Sequence, residues 1–482
     1  MAWSSSRSHR GASRGSHRGA GKMPWRSRNE STQSPESSSP APPLGKIIRT
    51  LTVDDLETTA EGQSSDLTIS QFTTVASYNW LDKKNSAPTI LVPGKPPLWT
   101  PQAAPTTLQE DSGKYFRDKN AARYPKHPLE PAVTVALDAD ENISTGVAIV
   151  ACGSTLGNLL RFVRGQDKPF RMLVQTIHAT VFLTRRENSP TELIPGVRGY
   201  GHTFPEANTT WEADVKGSGS HQRVVRYHFG GLELLVRFEA DGYIKPPSSV
   251  LTNTSPELSP QADDDQNPLS DLLSDLGVSG SSPSPSSDDL HVKPAGALVP
   301  HSQLFELKTR SILSKGKKDH LAEELPRLWI SHIPTFLLAY HTRGLFKAED
   351  ILIQDVRDEV KNWEQDHKTE LAKFAALLNW LVYDNPKEKF ELCFSGGGGK
   401  LEVREMLDDA VVEALSDDVK GRWAPVSSGT PPPPPPAESD SEDEDDKRYT
   451  WDYDYGFYDD EPQPDFTACS ADHCGYCGKC DY

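Results

Sequence analysis

Apolar residues in this chain follow two rhythms, interrupted by long stretches that follow neither. Short apolar or alternating runs read as strands at 89–94, 147–150, 170–177 and 179–184. The first of these continues as extended chain through Pro96 and Pro97. The runs 224–229 and 232–239 flank Gly230-Gly231 and predict a hairpin with a glycine turn. A helical period appears at Leu156, Leu159, Leu160 and Val163, predicting a helix over 155–163. Leu371, Phe374, Leu378, Leu381 and Val382 predict another over 368–382, and 403–415 reads as a further helix. The stretches 323–329, 336–339 and 351–356 carry apolar residues at mixed periods. Together these elements predict an α+β fold, a mixed β-sheet core with flanking helices.

The segments without periodicity set the organisation. Residues 1–68 are rich in Ser, Arg, Gly and Pro and read as a disordered basic arm. Core sequence follows at 69–245 and resumes at 298–420, split by a Ser/Pro/Asp-rich insert at 246–297. A Pro-rich and acidic linker spans 421–466, and 467–482 is a Cys-rich knuckle. Within the insert, Leu269, Leu272, Leu273 and Leu276 form a short stripe able to dock on a protein partner, a role the Cys-rich tail could share. The formal net charge of −18 is unevenly spread. Residues 1–28 hold Arg7, Arg10, Arg14, Arg18, Lys22, Arg26 and Arg28 and no acid, whereas 438–461 is dominated by Asp and Glu. A basic arm favours a polyanion such as RNA, and an acidic tail repels it or screens the arm. No apolar run is long enough for a membrane helix, and no signal-peptide core is visible. The cysteine pattern does not read as a secreted disulfide framework, so the expected compartment is nucleus or cytoplasm.

Two triplets carry the chemistry: Glu239-Ala240-Asp241 and Glu306-Leu307-Lys308. In a strand, residues two apart share a face, so each triplet projects two charged side chains together. If the two strands are neighbours in one mixed sheet, Glu239, Asp241 and Glu306 meet Lys308. Such a cluster holds Mg²⁺ or Mn²⁺ through oxygen ligands and uses it to activate water. Lys308 would orient that water, or neutralise a phosphoryl group. A separate signal lies at the C-terminus, where Cys469, Cys474, Cys477 and Cys480 have spacing suited to one tetrahedral Zn²⁺. Cys152 and Cys393 stand alone and read as core residues.

The order of features resembles the eukaryotic decapping exoribonucleases of the PD-(D/E)XK-like nuclease superfamily, as a divergent fungal-type member. Cys152-Gly153-Ser154-Thr155-Leu156-Gly157 looks like that family's first motif, and the Gly199-to-Glu206 segment like its second. The two triplets match the third and fourth. Trp329-Ile330-Ser331, Pro334, Ala339-Tyr340 and Gly344 resemble the elements that follow. The resemblance implies a nuclease fold and divalent-metal hydrolysis at RNA 5′ ends, of decapping, pyrophosphohydrolase or exoribonuclease type. It makes Glu206, Asp241 and Glu306 metal ligands together with the Leu307 carbonyl. Glu239 would reach the metal or its water, and Lys308 would orient the nucleophile. One departure stands out: Gly153 occupies the place of a family arginine that holds the substrate's phosphate end. Arg161, on the following helix, is the candidate replacement.

Two other classes are open. A non-catalytic RNA-associated scaffold could use the same fold together with the basic arm, the Leu stripe and the Cys-rich tail. A geranylgeranyl diphosphate synthase would need Asp-rich motifs on facing helices to hold Mg²⁺-diphosphate. The candidate runs, Asp263 to Asp265 and Asp288-Asp289, lie in Ser/Pro-rich sequence, which argues against it, as does the strand-rich core.

Overall fold

The computed structural model describes residues 39–61, 67–82, 87–246, 289–385, 388–407 and 413–424. Its strands form two sheets. The larger runs, in spatial order, β1 (Ile47–Leu51), β18 (Leu401–Arg404), β17 (Lys389–Phe394), β7 (Phe170–Ile177), β8 (Thr180–Arg185), β6 (Val147–Cys152), β11 (Leu232–Ala240), β10 (Ser218–Phe229), β2 (Ser70–Leu81), β3 (Thr89–Gly94) and β13 (His291–Gly296). The smaller runs β5 (Thr106–Thr107), β16 (Leu345–Asp355), β15 (Thr335–Thr342), β14 (Leu304–Ser311), β12 (Gly242–Tyr243), β4 (Leu98–Trp99) and β9 (Thr209–Thr210). Parallel and antiparallel pairings are mixed, as the α+β expectation required.

The central strands of the larger sheet are buried on both faces, which is why their sequences are nearly continuous apolar runs. On one face Val225, Val236 and Phe238 pack with Leu156 and Leu159 of helix Gly153–Val163 and with Phe374 and Leu378 of helix Lys368–Tyr383. On the other, Val224 and Leu235 pack with Trp80 and with Val133 and Ala136 of helix Glu130–Ala139. The smaller sheet has its own cluster of Phe305, Leu307, Leu337 and Phe346, which receives Tyr200 and Phe204. The β10–β11 hairpin turns at Gly230 and Gly231, with φ of 61° and 78°, the left-handed pair of the expected glycine turn.

Several expectations are corrected. The two triplets do not share a sheet: Glu239 lies in β11 of the larger sheet and Glu306 in β14 of the smaller. The chain leaves the first sheet after Ala240 and enters the second at β12, so Asp241 is the link between them. Residues 401–404 form a strand, not the start of a helix, because Leu401 and Val403 both face the core and pair with β1 and β17. Ordered elements also extend into the segments assigned to arm and insert: β1 and helix Val53–Glu61 precede Ile69, and β13 pairs in parallel with β3. The unassigned stretch 323–329 lies in helix His320–Ser331, whereas 336–339 and 351–355 belong to β15 and β16. The basic residues 1–28, the Leu269–Leu276 stripe and the four C-terminal cysteines lie outside the described residues.

Two substitutions test this packing. A Cβ on Gly230 would stand 2.7 Å from Ala375 Cβ, on a residue already at positive φ. Gly230→Val therefore adds overpacking to left-handed strain, and should cost roughly 2–5 kcal/mol in denaturant unfolding. Arg223 of β10 is fully buried, and its guanidinium nitrogens have no hydrogen-bond partner among the described residues. Desolvation pushes its pKa down to about 10. Arg223→Met removes that buried charge and should stabilise the fold, on the order of 1–4 kcal/mol, read as a raised Tm.

Candidate active site

Asp241 sits where the two sheets are joined. Gly242 pairs with Phe305, so continuing that antiparallel register sets Asp241 opposite Glu306. The Asp241 carboxylate accepts the Leu307 backbone N–H at 2.8 Å, tying the end of the first triplet to the middle of the second. Asp241 and Glu306 are buried, at 5% and 1% exposure. The convergence that the sequence suggested is thus produced by a crossover between sheets and not by neighbouring strands of one sheet.

The charge balance is tight. Glu306 Oε1 accepts from Lys308 Nζ at 2.5 Å and lies 3.3 Å from Arg327 Nε. Burial nevertheless pushes Glu306 up to about 7; the Arg327 and Lys308 charges oppose this, and the carboxylates of Asp241 and Glu324 add to it. Burial pulls Lys308 down, but Glu306 and Glu324 more than offset it and hold the ammonium above its ordinary value. Glu324, fully buried on helix His320–Ser331, stands 3.8 Å from Lys308 and 3.5 Å from Arg310. Glu239 pairs with Lys119 at 2.9 Å. Sequence reading missed Glu324, Arg327 and Lys119. The helical period of 320–331, with Glu324 and Arg327 three apart, was the signal that could have exposed the first two.

Two cavities meet at this seam, and Glu239 lines both. The first, of about 200 Å³, contains Glu239 and Glu306 at one end, with Gly153, Arg161, Arg237 and Arg327 also on its walls. Arg161, the expected phosphate ligand, is therefore in the same cavity as the carboxylates; its guanidinium also bonds Asn158. Gly153 is not required by crowding, because a Cβ there would meet only ordinary contacts at 3.5 and 3.7 Å. Arg237 is brought beside it by the parallel pairing with Cys152, and supplies a guanidinium that sequence reading did not single out. Cys393 is a core residue as expected, and Cys152, although buried, also lines the cavity.

The second cavity, of about 210 Å³, holds Glu206, Asp241, Glu239, His202, His221 and Trp211. Glu206 is exposed and lies on helix Thr203–Asn208. The start of that helix is fixed by Asp111, whose carboxylate accepts the His202 and Thr203 backbone N–H groups at 2.9 and 2.8 Å. Of the three expected metal ligands, Asp241 and Glu306 stand opposite each other in the strand register; Glu206 lines the second cavity with Asp241, whereas Glu306 lines the first.

No group of three His, Cys, Asp or Glu side chains among the described residues is placed to hold a metal ion. The chemistry of the donor set nonetheless fits a hard divalent cation. Four carboxylates crowd one seam, and Glu306 is raised first by burial and then by the neighbouring Asp241 and Glu324 charges, both of which a bound cation would offset. As placed, Lys308, Lys119, Arg327 and Arg310 supply the positive charge.

Crystal structures similar to this chain include Scheffersomyces stipitis Rai1 in complex with (3′-NADP)+ and calcium ion, at 12% identity and a TM-score of 0.48, covering 78% of this chain and 99% of that one. Candida albicans Rai1 in complex with pU5-Mn2+ matches at 11% identity and 0.45, covering 78% and 98%. K. lactis Dxo1 in complex with manganese matches at 11% and 0.36, covering 76% and 98%. No curated protein matches the sequence. Residues 46–392, well over half of the chain, match the family described as domain of unknown function DUF8563, and the chain belongs to that family.

Proposed function

We propose that this chain is a divalent-metal-dependent hydrolase acting on RNA 5′ ends. The observation that carries the reading is the buried opposition of Asp241 and Glu306, with Lys308 against Glu306, at the seam where two cavities meet. Asp241, Glu306 and Glu206 are the residues that would hold Mg²⁺ or Mn²⁺. A bound ion of this kind lowers the pKa of water and polarises a phosphoryl oxygen.

The chain's own residues have separable tasks. Arg161 and Arg237 present positive charge along the first cavity and suit the phosphates of an RNA 5′ end. Lys308 neutralises charge beside Glu306, and Glu324 and Arg327 hold that lysine–carboxylate pair between them. Glu239, lining both cavities, is placed to accept a proton from an attacking water. The basic arm would add sequence-independent, salt-sensitive affinity. The order of the four motifs supports RNA 5′ ends over other phosphodiesters. The compartment that suits this substrate is nucleus or cytoplasm.

The alternative is a scaffold of the same fold that binds RNA without cutting. The lysine-engaged carboxylates and the glycine at 153 favour it. The two readings are separated by a Mn²⁺-dependent assay on 5′-triphosphate, 5′-monophosphate and NAD-capped RNA. Turnover of at least one, abolished by Glu306→Ala with RNA affinity kept, is the expected result. Silence on all three, with Glu306→Ala binding metal as wild type does, establishes the scaffold. Arg161→Ala should raise KM on the order of tenfold and leave kcat nearly unchanged, as expected for the loss of one charge-assisted phosphate contact.

A pH effect follows from Glu306. Its folded-state pKa lies above its unfolded value, so its stabilising contribution is fully present below the ordinary carboxyl range. That contribution is lost as pH rises through about 7. Metal-free protein should therefore lose stability between pH 5 and 8, on the order of 3 kcal/mol from this group. Glu306→Gln should flatten the profile, measured by denaturant unfolding across that range.

A further inference from the structure

His221, on β10 directly across from Ala240, is 1% exposed and lines the second cavity with Asp241, Glu206 and Trp211. Its Nδ1 lies 2.6 Å from Asn79 Oδ1. The orientation of that amide is fixed by its other partners. Asn79 Nδ2 donates to the Lys95 carbonyl at 2.8 Å and to Ser218 Oγ at 2.9 Å, and the Lys95 N–H donates to Asn79 Oδ1 at 3.1 Å. The Ser218 hydroxyl proton is itself committed to the Val215 carbonyl at 2.7 Å. Turning the amide over would set its NH₂ against the Lys95 N–H and its oxygen against the Lys95 carbonyl.

Asn79 Oδ1 is therefore an acceptor, and His221 Nδ1 must carry the proton. Burial, with the Arg223 charge beside it, holds the ring well below its ordinary pKa and so neutral. A neutral Nδ1–H imidazole has an acceptor lone pair on Nε2. That atom is buried and has no hydrogen-bond partner among the described residues. With Nδ1 turned to Asn79, the Nε2 edge is the side of the ring left to the cavity. An unmet buried acceptor costs about 1–3 kcal/mol, which a matching donor recovers. The half-buried indole of Trp211 offers a stacking face in the same cavity.

We infer that His221 Nε2 is a recognition acceptor for a hydroxyl or amino donor of a nucleoside seated in the Trp211 cavity, next to the reacting phosphate. Its tautomer is preset by Asn79. This deepens the RNA 5′-end reading and rests on it for the identity of the nucleoside.

The test is nitrogen-15 NMR of the full chain labelled at histidine, with His221 assigned by the signal lost in His221→Gln. In free protein, His221 must show a protonated Nδ1 and a bare Nε2; the opposite tautomer overturns the inference outright. Three 5′-phosphorylated probes are then added with Ca²⁺, which is diamagnetic: pentaadenylate, its deoxy counterpart, and a pentamer of purine riboside. Pentaadenylate should move the Nε2 resonance. The deoxy probe lacks only the sugar hydroxyl and purine riboside only the exocyclic amine, so the probe that fails to move it names the donor. No movement with any probe overturns the inference, even if RNA is turned over and Glu306 is required. Movement without turnover keeps the subsite and removes the hydrolase. Where RNA is turned over, His221→Gln should raise KM roughly tenfold, the loss of one hydrogen bond, with kcat within about twofold.

Discussion

The step from β11 into β12 at Asp241 is the constraint on which the rest depends. One carboxylate there receives a backbone N–H from the opposing strand and so fixes the register of the link between two sheets, which also share a hydrophobic core through Leu304, Phe336 and Leu338. The same step places Glu306 opposite Asp241 in a region closed to water. Desolvating several carboxylates together is costly unless cations are brought to the same place. The surrounding sequence does this with Lys308 and Arg310 from β14, Arg327 from helix His320–Ser331, and Lys119 from an earlier part of the chain. Glu306 remains biased towards its protonated form even so, chiefly because burial disfavours its charge.

The division of the seam into two cavities gives this charge a direction. One side is walled by guanidinium groups from helix Gly153–Val163, β11 and helix His320–Ser331 and suits phosphate. The other carries imidazole, indole and the exposed Glu206, a surface fitted to sugar and base. Glu239, one residue from the end of its strand, belongs to both.

How much of this was legible in the sequence depended on how local each signal was. The hairpin at Gly230-Gly231, the helix after Cys152 and the strands on either side of residue 178 are short-range patterns, and the fold keeps them with shifts of a residue or two. The triplets meet in space through Asp241, but not in the one sheet expected for them. The sheet change is invisible in sequence because β12 has only two residues and its pairing with β14 spans the whole insert. The 403–415 stretch reads as a helix, but its start is claimed by strand partners, Val403 pairing with Arg49 of the distant β1 and with Leu392 of the adjacent β17. Arg237 beside Gly153, and His221 held by Asn79, depend on long-range pairing that no window of sequence contains.

The most direct test of the central claim is an anomalous difference map at the manganese edge from crystals of the full chain grown with Mn²⁺. The account places a peak at the seam, bound by Asp241 and Glu306 carboxylate oxygens, with Lys308 Nζ displaced from its present contact with Glu306. A seam with no peak, and Lys308 still against Glu306 while manganese binds elsewhere, would contradict it.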